Sequence, residues 1–285
     1  MTTAVAAAAP PRRQPGRPPR AAAALATRER LETVDLWWRL VASDPLNFLS
    51  ECLTNDEHAD DTLQPFPLCA PCARDERAND DVLVTGEPPD QRAVCRAHGV
   101  RHKPYIRPFV RTWQESEILL TEKSRQVLGS WTSVGLHLWR ALTKPGALIG
   151  FQSENQPKAR ELLYRAYVMY ASLPVELQRF GPMSDNPRAM ARKIEDEIRI
   201  THVLSDGRKA PARILALPNG PNQVRMYTFT EIFMDECQNW ESDEDFEDSY
   251  TAALATVKGG GRLLAISSVG HPSRFHYRLC AGQVR

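Results

Sequence analysis

The chain has no run of about 18 apolar residues, roughly the length a helix needs to cross a bilayer. A transmembrane helix is therefore not expected, and a cytoplasmic location is the default. Charge of one sign is also lacking, since 36 Lys and Arg stand against 35 Asp and Glu and leave +1. With no overall field to draw nucleic acid, any such contact needs a local basic patch. The common phosphate-cradling pattern G-x-x-x-x-G-K-[ST] is missing. Residues 1–30 are rich in Ala, Pro and Arg, with Arg12, Arg13, Arg17, Arg20, Arg28 and Arg30 opposed only by Glu29. Such a segment buries too little apolar area to fold alone. It lacks the apolar core of a secretory signal, while its acid-poor, arginine-rich character imitates an organellar transit peptide. It reads as a disordered arm, either touching nucleic acid or a partner or serving as an inert terminus. The remainder, 31–285, is long enough to bury a sizeable core.

Two short segments carry the chemistry. In the first, Ile118-Leu119-Leu120 runs into Thr121-Glu122-Lys123-Ser124-Arg125-Gln126-Val127-Leu128-Gly129-Ser130-Trp131, a basic, hydroxyl-bearing turn that opens a helical pattern. Val134, Leu136, Leu138, Trp139 and Leu142 continue that helix, which ends before Pro145-Gly146. The second, Ile232-Phe233-Met234-Asp235-Glu236, is an apolar run ending in two acids. A buried strand brings its last residues to the carboxyl edge of a sheet, where amides of the following helix can hold phosphate oxygens. Together the two segments resemble the phosphate-binding loop and the metal and base strand of a nucleotide hydrolase, which implies that Ser130 supplies a hydroxyl to a magnesium ion, that Asp235 holds the same ion directly or through water, and that Glu236 orients and activates the attacking water.

Elsewhere, 147–151 reads as a strand and 157–170 as a helix, and this alternation argues for an α/β fold with a parallel sheet covered on both faces. Residues 181–230 are less regular. Short strands over 197–201, 214–216 and 224–228, separated by Asp206-Gly207 and Pro218-Asn219-Gly220 turns, suggest an antiparallel extension. Val34, Leu36, Trp37, Leu40 and Val41 have helical spacing, with Trp37 and Trp38 as packing residues.

Counting back from Ser130, Gly129 stands where the common loop has its lysine, Leu128 where it has its second glycine, and Lys123 where it has its first. The run Lys-Ser-Arg-Gln-x-x-x-Ser-Trp, with the lysine at the start of the loop, resembles the variant found in large terminase subunits of tailed bacteriophages. The family's opening segment is similar to Asp44-Pro45-Leu46-Asn47-Phe48-Leu49, Thr54-Asn55-Asp56-Glu57 and Pro65-Phe66-Pro67. Lys103-Pro104-Tyr105-Ile106-Arg107-Pro108-Phe109 resembles the approach to the nucleotide loop. Ser153-Glu154-Asn155 with Ala159-Arg160 and Leu173-Pro174 resembles the second strand and its helix, and Gly259-Gly260-Gly261-Arg262 through Ser267-Ser268 resembles the coupling strand.

The resemblance implies a three-layer P-loop NTPase with a mainly parallel sheet, hydrolysing ATP with magnesium to drive double-stranded viral DNA into a capsid. It implies a homo-oligomeric ring working with a portal protein and a small terminase subunit. Lys123, Ser124, Arg125, Gln126, Gly129, Ser130 and Trp131 then surround the nucleotide with Asp235, and either Lys123 or Arg125 holds the phosphates. Ser267 and Ser268 would sense the γ-phosphate, and Arg165, in preference to Arg160, would stabilise charge on the transferred group. The family's nuclease domain normally follows; the chain stops at Arg285, so no nuclease activity is expected of it. Two alternatives stay open. One is a catalytically silent DNA- or capsid-binding remnant, motivated by Leu128 in a glycine position and by the early chain end. The other is a different nucleic-acid translocase, which should carry a second motor domain.

Within 68–102 the spacing Cys69-x-x-Cys72 and Cys95-x-x-His98 fits a tetrahedral structural zinc site closing an acidic loop, with His102 as a rival fourth ligand. Cys52, Cys237 and Cys280 have no comparable spacing and read as ordinary thiols.

Overall fold

The computed structural model describes residues 35–55, 63–65, 103, 105–124, 128–174, 178 and 196–284. Arg125 and Gln126 lie outside the described residues, as do the candidate zinc ligands Cys69, Cys72, Cys95, His98 and His102. Among the described residues no group of three or more His, Cys, Asp or Glu side chains could hold a metal ion. The chain divides into two units, Met1–Trp37 and Trp38–Arg285, and the second carries everything below.

Residues 38–43 are helical. Asp44 ends that turn and starts α1 (Pro45–Ser50), its carboxylate accepting the Leu46 N–H at 2.9 Å. A short antiparallel pair, β1 (Leu53–Asn55) and β2 (Leu63–Pro65), precedes α2 (Ile106–Glu115). The main sheet has six strands: β3 (Ile118–Lys123), β4 (Leu148–Gln152), β5 (Glu197–Val203), β6 (Lys209–Leu217), β7 (Glu231–Asp235) and β8 (Arg262–Ser268). Their order is β3-β8-β7-β4-β6-β5, and all neighbours run parallel except β5 on β6. The 197–217 hairpin thus extends the main sheet itself.

Parallel strands need crossovers, and helices supply them. After β3 comes α3 (Gly129–Thr143), and after β4 comes α4 (Gln156–Ser172), which Asn155 caps by accepting the Lys158 N–H at 3.0 Å. The turn α5 (Pro221–Arg225) precedes β7, α6 (Asp243–Lys258) links β7 to β8, and α7 (Phe275–Cys280) follows β8. Alternation along β7 shows how both faces are covered. Ile232 and Met234 join Phe246, Tyr250, Ala253, Phe275 and Leu279 of α6 and α7 in one core. Phe233 points the other way and stacks on His137 of α3 at 5.5 Å. Helix α3 is buried along most of its length, and at Gly135 the ends of Leu49 of α1 and Met169 of α4 occupy the space that a Cβ would take, so a larger residue there would have to displace them. The fold is a mixed α/β architecture with one mostly parallel sheet.

Glu231, at the opposite edge of the sheet from the strand ends, is almost fully buried and held by Arg140 Nε at 2.7 Å. His137 Nε2 lies 3.7 Å from its other oxygen. Burial lowers the His137 pKa to about 4, so the ring is neutral at pH 7 and this second contact is no ion pair there. Burial likewise pushes Glu231 up, against the attraction of Arg140. Cys52 and Cys237 are buried free thiols, and burial pushes Cys280 up to about 11.

One expectation is corrected. Residues 224–228 do not form a strand: Gly220 takes a positive φ of 98°, Pro221 opens the helical turn α5, and Val224 packs inward from it. Alternating apolar residues imitated a strand, while the Gly-Pro pair set the actual conformation. No helix among the described residues is long and apolar enough to cross a membrane.

Candidate functional site

The strand order places the carboxyl ends of β3, β8, β7 and β4 side by side, and their last or following residues are Lys123, Ser268, Asp235 with Glu236, and Ser153. These groups line a cleft of about 370 Å³. Lys123 Nζ donates to Glu236 Oε1 at 2.9 Å. Ser130, in the first turn of α3, donates to Asp235 Oδ1 at 2.9 Å, and both residues are buried. Glu236 also accepts from the Ser268 N–H at 3.3 Å, the Ser268 hydroxyl at 3.2 Å and Asn239 Nδ2 at 3.1 Å.

The two acids are tuned apart. Burial, reinforced by the neighbouring Glu236 charge, pushes Asp235 up to about 6, only partly offset by Lys123, the Ser130 hydrogen bond and Arg165. Burial also acts to raise Glu236, but the Lys123 hydrogen bond and charge, with both Ser268 donors, outweigh it and hold Glu236 below the usual carboxylate range. A cation brought to Asp235 would favour its ionised form. A hydroxyl and a carboxylate oxygen 2.9 Å apart are hard donors suited to magnesium.

Among described residues other than glycine, only Leu128 and Glu236 have a positive φ, at 51° and 50°. Both stand at this site. Leu128 is the N-cap of α3 and supplies with its own backbone the left-handed turn for which the common loop uses glycine. Gly129 follows. A Cβ built on it would lie 2.5 Å from Lys123 Cδ and 3.2 Å from Cε. The lysine stem therefore crosses over Gly129, the position that carries the lysine in the common pattern, and reaches the cleft from the end of β3.

Several assignments are now placed. Lys123, Ser130, Asp235, Glu236, Ser268 and Arg165 share the cleft. Trp131 is buried, and its ring carries the Arg165 guanidinium at 5.5 Å. Arg160 is outside the cleft, paired with Asp196 at 2.8 Å. Ser267 faces the other side of the sheet and accepts the Gln238 N–H at 3.0 Å. Ser124 and Gly129 line a second cavity of about 300 Å³ beside Lys123, walled by Tyr105, Ile106, Phe109 and Ile266. Sequence reasoning missed Lys158 and Glu161 as cleft residues; their spacing to Arg165 along α4 was the available signal.

No protein-family profile matches the sequence, and no curated protein matches it. Among the solved structures it resembles are phage large terminases. An arginine-to-alanine variant of the Thermus phage P74-26 large terminase ATPase domain shares 12% identity over 62% of this chain and 69% of its own, with TM-score 0.43. The unsubstituted P74-26 domain shares 13% over 55% and 61%, with TM-score 0.39. The HK97 bacteriophage large terminase shares 13% over 63% of this chain but 35% of its own, with TM-score 0.41.

Proposed function

We propose that this chain is a magnesium-dependent ATPase with a three-layer P-loop architecture, the motor domain of a phage-type terminase acting on double-stranded DNA. The observation that carries the reading is the juxtaposition of two polar pairs, Ser130–Asp235 and Lys123–Glu236, at the helix end of a parallel sheet. The sequence resemblance of the Lys123–Trp131 loop, the acidic pair and the Ser267-Ser268 strand supports the DNA-packaging part, with a homo-oligomeric ring, a portal protein and a small terminase subunit as partners.

Ser130 and Asp235 would hold magnesium, which when bound neutralises charge on the β- and γ-phosphate oxygens. Lys123 and the first amides of α3 bind the phosphates, where the positive end of the helix dipole favours anions. The aromatic and aliphatic wall of the cavity beside Lys123 fits the base. Glu236, held ionised, orients a water and takes its proton as the phosphoryl group leaves. Arg165, fixed on Trp131, faces the same cleft and would stabilise the transferring charge from within the chain. Leu128 weighs against the silent-remnant alternative, because its backbone already adopts the conformation that the missing glycine would have supplied.

Calorimetric titration with a non-hydrolysable ATP analogue tests the binding half. Magnesium-dependent saturation, lost in Asp235→Asn and weakened in Lys123→Ala, is expected. Binding indifferent to magnesium and to both substitutions would overturn the reading.

A further inference from the structure

Behind the cleft, on the α6 side of the sheet, a second set of contacts ties the same strands together. Side chains alternate along a strand, so Glu122 and Ser267 point away from the cleft that Lys123 and Ser268 face. The register pairs Glu122 with Ser267 and Lys123 with Ser268. One residue, Gln238, engages both Glu122 and Ser267, with its side chain and its backbone. Its Nε2 donates to Glu122 Oε1 at 2.7 Å, and its backbone N–H donates to Ser267 Oγ at 3.0 Å. Gln238 is buried, and its side chain fills the space that a Cβ on Gly270 would need.

Arg274, the N-cap of α7, closes the arrangement. Its Nε and Nη2 donate to the Gln238 carbonyl at 3.0 and 2.6 Å, and Nη2 also donates to the Trp240 carbonyl at 2.9 Å. Its Nη1 lies 3.3 Å from Asp243 Oδ1. These carbonyls belong to the short turn that follows Glu236. Trp240 Nε1 donates back to the Asp235 carbonyl at 3.2 Å. A glutamate in the left-handed region is disfavoured and persists only where its surroundings fix it. The Asn239 N–H holds the Glu236 carbonyl directly at 2.8 Å, and the contacts of Gln238 and Arg274 brace the rest of that turn from behind without entering the cleft.

We propose that Gln238 and Arg274 are positioning residues for Glu236. They clamp the left-handed turn against the ends of β3 and β8, so that the Glu236 carboxylate is held at Lys123 and Ser268. The kinetic part of this proposal rests on the hydrolase reading; the geometric part does not.

The test compares the full chain with Arg274→Ala and Gln238→Leu, each alone and combined with Glu236→Gln, and uses Arg208→Ala, on an exposed hairpin turn, as the control. Lys123 is only 12% exposed while paired with Glu236, so its acylation by acetic anhydride, read by mass spectrometry, reports the pair without any turnover. Both variants are expected to raise Lys123 acylation several-fold, relative to the other lysines and to the control. Turnover of magnesium ATP should fall about tenfold to a hundredfold at unchanged KM, as expected for a misplaced catalytic group. Neither variant should slow the Glu236→Gln protein further. If Arg274→Ala fails to fold, shown by its melting curve, Gln238→Leu carries the test. Unchanged Lys123 acylation overturns the proposal, as does a full additional loss of rate in the Glu236→Gln background. Altered acylation in a protein that never hydrolyses ATP would leave the clamp standing and reject the hydrolase reading.

Discussion

Gly129→Ala isolates what the lysine's unusual origin demands. The added methyl would sit 2.5 Å from Lys123 Cδ, while carbon atoms rest about 3.5 Å or more apart, so the lysine stem must move by about 1 Å. The stem is flexible, and alanine is favoured over glycine in a helix by up to about 1 kcal/mol. Crowding and propensity therefore oppose each other, and net stability should change by no more than about 1 kcal/mol. Function should change far more, because a misplacement of about 1 Å at a reacting centre costs about a hundredfold in rate. The expected result is a protein that melts close to wild type, hydrolyses ATP about a hundredfold more slowly and binds the analogue more weakly. Wild-type turnover with alanine at 129 would refute the argument that Lys123 acts across Gly129.

Other perturbations follow from the buried groups and from the cysteine spacing. Because the His137 pKa is lowered in the folded state to about 4, the unfolded chain binds its proton first. The corresponding stability is present above the ordinary histidine pKa of about 6.5 and is lost as pH falls toward 4, a change worth about 3 kcal/mol. Glu231, whose pKa is raised, acts in the opposite sense, so the difference between wild type and His137→Phe in denaturant melts between pH 7 and 4 isolates the histidine. A parallel pH dependence in the two proteins would contradict a neutral buried ring. Arg140→Ala leaves Glu231 buried without its cation and removes a guanidinium packed at 5.3 Å from both Trp113 and Trp139; a loss of about 3–5 kcal/mol is expected by denaturant unfolding. Zinc analysis of the purified protein should find one ion per chain, removed by replacing Cys69 and Cys72 with serine; a metal-free wild type would dismiss that site.

Much of the sheet was legible because parallel strands are buried on both faces and read as apolar runs. Leu148–Gln152, Glu231–Asp235 and Arg262–Ser268 are of this kind, and the residues ending the last two fall at the cleft. Two features escaped for definite reasons. Whether Ser267 or Ser268 enters the cleft depends on register, since adjacent residues face opposite sides, and an apolar run does not specify its pairing. The service of Trp131 as a platform for Arg165 depends on how α3 and α4 pack together, which no local pattern encodes. The hairpin over 197–217 was readable as an antiparallel extension, but which strand it joins was not, since the parallel pairing of β6 with β4 depends on register between segments far apart in sequence.

The most direct test is steady-state ATP hydrolysis by the purified chain with magnesium, with and without double-stranded DNA, beside Glu236→Gln. The account predicts magnesium-dependent turnover, raised by DNA and lowered about a hundredfold to ten-thousandfold by the substitution. Turnover undiminished in Glu236→Gln, or none from a folded wild-type chain at any DNA concentration, would contradict it.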